Sequence, residues 1–330
     1  MEEENKKGTV CVTGGTGFVG SWLIKRLLRH GYFVNATIRS DPECKRDVSY
    51  LRNLPGASDR LRIYNADLDK PDSFNAAING CIGLFHVAHP LDFGDKESEE
   101  TKTKRAISGL LGILQACLDS KTVRRVVYTS SASAVLFNGN RDLDIVDESS
   151  WTDVELIRSL RMYAGSYIVG KTLTEKTALE FAQKHGLDVV TLVPTWIHGP
   201  FICSHLPDTV CISLALIFGN EDHYKYLVDT SFVHVDDVAR AHIFLFEYPN
   251  AKGRYICSAL EVTIDKLSEF LSARYPEYQI PNADSLKDIV PVKFSGFSSK
   301  KLLEAGFNYQ HGLEEIFDGA IESCKQKGFI

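Results

Sequence analysis

Short β-branched runs alternate with longer stretches whose apolar residues return every three or four positions, and this alternation fills the chain as far as Pro194. Val10-Cys11-Val12 closes a run that reads as a buried strand. Trp22, Leu23, Ile24, Leu27 and Leu28 then recur at helical spacing up to Gly31, a C-terminal cap. Tyr32–Ile38 predicts a second strand, and Asp41-Pro42 marks a turn into a helix. Leu61–Ala66 is a third strand, a helix runs from about Asp72 to Ile78, and Ile82–Val87 is a fourth strand. Lys102–Leu118 carries apolar residues at 106, 107, 110, 111, 113 and 114, which form one helical face. Val126-Val127-Tyr128 is a fifth strand, and the polar segment Phe137–Leu160 is expected to be a loop. A helix from Tyr167 to about Gln183 and a sixth strand, Leu187–Val193, complete the series. Strands joined by helices of this length predict an α/β fold with a doubly wound parallel sheet and right-handed crossovers.

Beyond Pro194 the pattern is less regular, with apolar segments at Ile202–Gly219, Phe232–Phe246 and Tyr255–Ser258 and helices near 263–274 and 312–326. The expectation is a nucleotide-binding domain over 1–195 and a smaller, mainly substrate-binding C-terminal lobe over 196–330. The absence of a repeat or flexible linker predicts that the two interleave, with 232–258 returning to the sheet.

The loop after the first strand sharpens this reading. Gly14, Gly17 and Gly20 stand three apart between strand and helix, the context that turns a weak pattern into a dinucleotide (Rossmann) site. Gly14 allows the tight turn, Gly17 lets backbone approach a pyrophosphate, and Gly20 lets the helix pack close to the sheet. Thr16, Phe18 and Val19 belong to the same turn, whose helix N-terminus offers free N–H groups to phosphates. A nucleoside-triphosphate loop would end in Gly-Lys-Ser/Thr, whereas Gly20 is followed by Ser21 and Trp22.

Composition narrows the field of partners. The 330 residues are 44% hydrophobic and 24% charged, with a formal net charge of −6 and no basic tract, so nucleic acid and anionic membrane are poor partners. The first residues lack the apolar core of a secretory signal, and no apolar run is long enough to span a bilayer. Eight scattered cysteines, none at metal-ligand spacing, point to a reduced, cytoplasmic protein. A monomer or weak dimer acting on a small molecule is expected.

Tyr167 and Lys171 lie four apart, on one face of one helix. An ammonium at that distance is expected to pull the phenol down from its free value of about 10, making Tyr167 a proton donor to a carbonyl oxygen. Ser131, at the end of the fifth strand, is placed to hydrogen-bond the same oxygen. Catalysis is therefore assigned to Ser131, Tyr167 and Lys171. Gly14, Arg39, Asp67, Val87 and Ser131 all stand at strand ends, where a doubly wound sheet binds its ligand.

With these residues in place, the chain resembles the extended short-chain dehydrogenase/reductases, and among them the plant dihydroflavonol reductase group. The likeness runs nearly end to end, through Val12–Trp22, Lys45-Arg46-Asp47-Val48, Asn53–Ser58, Tyr128-Thr129-Ser130-Ser131 and Val233–His242. It implies NADPH-dependent reduction of a ketone on a polycyclic plant metabolite, flavonoid-like, isoflavonoid-like or alkaloid, and it places the family's catalytic positions at Ser131, Tyr167 and Lys171. Two departures are visible. Dihydroflavonol reductases carry Asn where this chain has Leu136, and the Asn that many relatives use for a relay water has no counterpart between Lys96 and Ser133.

Arg39, just past the second strand, with Lys45 and Arg46 behind it, suits the 2′-phosphate of NADPH through the planar donor fork of arginine. By the resemblance, Asp67 and Leu68 flank the adenine, Val87 and Ala88 line the cofactor together with Lys171, and Pro194 and Thr195 lie near the nicotinamide. His89 is a substrate contact or a packing histidine. Leu136, Trp196 and Phe201 would line the substrate site, the two aromatics as a wall suited to flat rings. His234, followed by Asp236 and Asp237, reads as structural, because no serine is paired with it. A cinnamoyl-CoA-type or anthocyanidin-type reductase, or an NADP-binding sensor without chemistry, are the alternatives.

Overall fold

The computed structural model describes residues 7–39, 47–90, 97–139, 144–161, 164–289 and 295–330. The Asp41-Pro42 turn and the cofactor candidates Lys45 and Arg46 lie outside the described residues. In chain order come β1 (Thr9–Thr13), α1 (Phe18–Arg29), β2 (Phe33–Ile38), β3 (Leu61–Asn65), β4 (Gly83–His86), α2 (Glu99–Ser120), β5 (Arg125–Thr129), β6 (Ile145–Val146), α3 (Gly165–His185) and β7 (Val189–Pro194). The rest holds β8 (Trp196–His198), β9 (Asp229–His234), α4 (Val235–Glu247), β10 (Gly253–Cys257), β11 (Leu260–Thr263), α5 (Ile264–Arg274), β12 (Gly296–Phe297) and α6 (Leu313–Lys327).

Seven strands form one parallel sheet in the order β10-β7-β5-β4-β1-β2-β3. The order reverses between β1 and β4, which opens a crevice at the carboxyl ends of the strands. Alternation along each strand sorts the side chains onto two faces. Val10, Val12, Phe85 and Val127 pack with Leu23, Ile24, Leu27 and Leu28 of α1 on one face. Cys11, Leu84, Val126 and Tyr128 pack with Leu110, Ile113 and Leu114 of α2 and Ala178 of α3 on the other. Each of these apolar side chains contributes about 2 kcal/mol by burial, which is why the faces stay in register.

β8, β9 and β11 form a smaller sheet. Phe232 from it packs with Leu267 and Leu271 of α5 and Ile316 and Phe317 of α6 in a separate core. Between these elements the chain returns to lay β10 beside β7, at the edge of the large sheet. Among the described residues, no helix is long and apolar enough to cross a membrane.

Two expectations change. The segment 137–160 is not wholly loop: it contains β6, paired with β12, and a helix over Val154–Leu160. Asp153 caps that helix by accepting from the N–H groups of Glu155 and Leu156. Each element buries few side chains, chiefly Val146 and Ile157, so no period emerges from a polar background. The expected helix near 72–78 is a 3-10 turn over Pro71–Phe74 followed by one α turn over Asn75–Ile78.

Candidate active site

The glycine turn is shaped for an anion. Gly14 has φ +72°, and a side chain there would meet the Ala88 backbone at 3.0 Å. A Cβ on Gly20 would land on the carbonyl oxygen of Gly14, so only glycine lets α1 start this close to β1. Gly17 caps α1 without a side-chain acceptor, and the first turn holds no acid, so no side chain offsets the positive dipole end of α1. Phe18 packs against both the α1 core and the α6 core, and Val19 against the β7 and α4 side. The Tyr50 hydroxyl donates to the carbonyl oxygen of Thr16 at 3.1 Å. A dinucleotide pyrophosphate fits this cradle.

The hydroxyl of Thr13 draws the end of β4 against the turn. It accepts from the N–H groups of Val87 and Ala88, both at 3.0 Å, and with both lone pairs engaged it donates to His86 Nδ1 at 2.8 Å. Burial, with Lys171 adding to it, pushes the His86 pKa down to about 3, so the ring is neutral. Arg39 is exposed just past β2. Asp67 follows β3, where its N–H donates to Ser73 Oγ at 2.9 Å, and Leu68 packs over Gly109 of α2. Pro194 ends β7 and accepts from the Ala132 N–H at 2.8 Å, while the Thr195 N–H donates to Cys257 at 3.1 Å.

Three consecutive residues, the last of β5 and the two after it, meet three residues of α3 spaced four apart. The Lys171 ammonium donates to the Thr129 carbonyl oxygen at 2.8 Å. The Ser130 hydroxyl donates to Glu175 Oε2 at 2.6 Å. The Ser131 and Tyr167 side chains share a hydrogen bond. The His89 ring stands edge-on to Tyr167, centroids 5.6 Å apart at 87°. Burial, then Lys171 and His86, hold His89 well below its usual pKa.

The electrostatics correct one expectation. The Tyr167 phenol is raised, not lowered: burial penalises the phenolate and outweighs the opposing hydrogen bond with Ser131. Lys171 is itself buried, which pushes it down to about 7 against the upward pull of Glu175.

Beneath α3 the sheet carries a polar row that the sequence reading did not single out. Thr13, His86, Tyr128, Thr191 and Arg254 are register partners across β1, β4, β5, β7 and β10. All five are buried. Two signals mark it: a polar or aromatic-polar residue at the last position on this face of β1, β4 and β5, and Glu175 one further step of four beyond Tyr167 and Lys171.

The expected substrate contacts divide. His89 adjoins Tyr167, and Leu136 ends a single helical turn over Ser133–Leu136, half-buried. Trp196 is half-buried, its indole N–H donating to Thr209 at 3.1 Å. Phe201 departs from the expected wall: it is 3% exposed in the α6 core, its ring 6.1 Å from Phe329 and its N–H held by Ser323. His234 caps α4 by accepting from the Asp236 N–H and stacks on His311 at 3.9 Å, a structural role.

The chain matches the NAD dependent epimerase/dehydratase family over residues 10–257. It is 54% identical to vestitone reductase of Medicago sativa, over 98% of this chain and 99% of that one. It is also 54% identical to Protein BRI1-5 ENHANCED 1 of Arabidopsis thaliana, over 99% and 91% of the two chains. Identity with the dihydroflavonol 4-reductase of Arabidopsis thaliana is 47%, over 99% and 85%. The crystal structure of alfalfa vestitone reductase superposes with a TM-score of 0.90 at 52% identity, covering 98% of this chain and all of that one.

Proposed function

The chain belongs to the NAD dependent epimerase/dehydratase family, and from that premise we propose that it is an NADPH-dependent reductase of a ketone on a polycyclic specialised metabolite, flavonoid-like, isoflavonoid-like or alkaloid. The observation that carries the reading is the Tyr167 phenol, hydrogen-bonded to Ser131 two residues past β5, with Lys171 one turn along the same helix. NADPH, when bound, supplies the hydride. Tyr167 gives its proton to the carbonyl oxygen as that oxygen gains charge, and Ser131 orients the oxygen and stabilises the charge. Burial that raises Tyr167 keeps it protonated and ready to donate. Lys171, charged below about pH 7, favours the phenolate left behind. The turn from Gly14 to Val19 takes the pyrophosphate, and Arg39, with Lys45 and Arg46 on the following segment, suits a 2′-phosphate.

His89, beside Tyr167, and the half-buried Leu136 and Trp196 are read as substrate contacts, and the indole suits flat rings. Among the described residues the cysteines are unpaired, which supports a reduced, cytoplasmic setting. Large exposed apolar side chains there are confined to Ile145, Leu160, Leu303 and Phe329, which supports a monomer or weak dimer. Tyr167→Phe tests the proposal: NADPH binding by fluorescence titration is retained while kcat on an isoflavanone falls on the order of a thousandfold. Undiminished turnover would reject Tyr167 as the proton donor.

A further inference from the structure

The polar stripe of α3 does not end at Lys171. Glu175 is fully buried and accepts four hydrogen bonds from three parts of the chain. Ser130 Oγ donates at 2.6 Å, Thr191 Oγ1 at 2.6 Å, and Arg254 through Nε at 3.0 Å and Nη2 at 3.1 Å. Both carboxylate oxygens are thereby saturated. Arg254 is fixed in turn: Nη1 donates to the carbonyl oxygens of Glu148 at 3.0 Å and Ser150 at 2.5 Å, and Trp151 covers the guanidinium at 3.6 Å. As a device for stability alone this is a poor choice, because apolar residues of the same volume often hold a core equally well without desolvating two charges.

We propose that Glu175, locked by Arg254, is a positioning residue that holds Ser131 and Lys171 in register with Tyr167. The inference rests on the reading of those three as the catalytic group. Its geometric content is the pairing of Thr129, Ser130 and Ser131 with Lys171, Glu175 and Tyr167. Ser130 is the covalent neighbour of Ser131, so losing its anchor loosens the hydroxyl that meets Tyr167. A displacement well under 1 Å at such a point costs turnover without costing affinity.

The same carboxylate acts on Lys171 through charge. The groups that face Lys171 are Glu175 from α3, Tyr128 from β5 with its ring 5.5 Å from Nζ, and His86 and His89 from β4 and the residues after it. Glu175 itself is faced by Arg254 from β10, Tyr128 from β5 and Lys171. Among the groups around Lys171, Glu175 carries the negative charge that opposes its desolvation. Without that charge Lys171 loses its proton at a lower pH.

Two variants, a threonine rescue and a control test this, with NADPH consumption on an isoflavanone as the assay and thermal unfolding without added nucleotide as the second readout. Glu175→Gln keeps the side-chain shape and removes the charge. Its kcat is expected to fall on the order of thirtyfold with an unchanged KM for NADPH, and the alkaline limb of its kcat/KM profile moves down by about one pH unit. Ser130→Ala cuts the tie to β5 and leaves the charge. It is expected to lose about five- to tenfold in kcat, with the pH profile of the unaltered protein and an unfolding midpoint lowered by the lost buried hydrogen bond, and Ser130→Thr restores the rate. Undiminished kcat in Ser130→Ala, with an unshifted profile in a folded Glu175→Gln, overturns the proposal. Should Glu175→Gln fail to fold, Ser130→Ala and its threonine rescue decide alone, the loss and recovery of rate supporting the proposal and an undiminished rate ending it. Tyr167→Phe separates the two readings. If it is inactive while both other variants match the unaltered enzyme, only the role of Glu175 falls. If it is active, the catalytic assignment beneath it falls first.

Discussion

Helices α1 and α3 pack on opposite faces of the same strands, and they bury different chemistry. The inward stripe of α1 is Trp22, Leu23, Ile24, Leu27 and Leu28, set against Val10, Val12, Phe85 and Val127. The buried residues of α3 include Lys171, Thr172, Thr174 and Glu175 beside Ile168, Val169 and Ala178, and the strands beneath offer His86, Tyr128 and Thr191. One face stabilises the fold by excluding water; the other spends stability to hold charges where chemistry needs them. The α4 side makes the contrast clearer, because its polar pair closes on itself. His242 Nδ1 donates to the Val238 carbonyl oxygen at 2.8 Å, its Nε2 accepts from Thr129 Oγ1 at 2.7 Å, and burial pushes its pKa to about 4. That histidine is neutral and satisfied. On the α3 face, Lys171 is pushed down to about 7 one turn from a phenol that burial keeps protonated. Burial alone therefore does not separate scaffold from site; what the buried groups leave available does.

The contrast predicts opposite outcomes for substitutions on the two helices. The largest effect belongs to Lys171→Met, expected to lower kcat on the order of a thousandfold or more while the protein unfolds at an equal or higher temperature. Because the folded-state pKa of Lys171 is depressed to about 7, the stability linked to its neutral form is present above the unfolded value and lost as pH falls through about 7. The gain in unfolding temperature from the methionine should accordingly be larger at about pH 6 than at about pH 9. A lower unfolding temperature at both would break the contrast. Next comes Leu27→Ala on α1, whose cavity is expected to destabilise by about 3 kcal/mol in denaturant titration, with kcat per folded molecule unchanged. Loss of kcat in that variant would mean that the two faces are coupled. The smallest effect is at Arg39, exposed beyond the end of β2 and part of neither stripe. Arg39→Asp is expected to weaken NADPH about tenfold and to leave NADH, stability and kcat nearly as they were; equal weakening of both nucleotides would remove Arg39 from the phosphate site.

The α1 face was legible from the sequence because its signals are periodic and local. Glycines three apart followed by a leucine stripe leave little freedom in where a strand, a turn and a helix fall. Tyr167, Lys171 and Ser131 were legible through spacing and strand ends, and the geometry does bring them together. Their electrostatics were not. Spacing on a helix reports a neighbouring charge but not the desolvation that outweighs it, so Tyr167 was expected to fall and instead rises. Phe201 was misplaced for a related reason: an aromatic after a strand looks the same whether it lines a cleft or fills a core, and only Phe329 and Ser323, far along the chain, decide it. β6 and the helix after it were missed because they answer to single buried contacts rather than to a period. Arg254 was passed over because it sits in a strand otherwise apolar, and its partner Glu175 lies 79 positions earlier.

β10 has a consequence for how the chain reaches this state. β7, every residue of which ends up buried, is translated long before the strand that pairs with its outer side, so a ribosome-bound intermediate exposes a ready edge to any other extended segment. That same late strand brings the guanidinium that neutralises Glu175, so the nascent sheet lacks both its border and its counter-ion until Gly253–Cys257 emerges. Assembly of the large sheet is thus a late, long-range event, and truncations upstream of Gly253 should aggregate rather than yield a nucleotide-binding fragment.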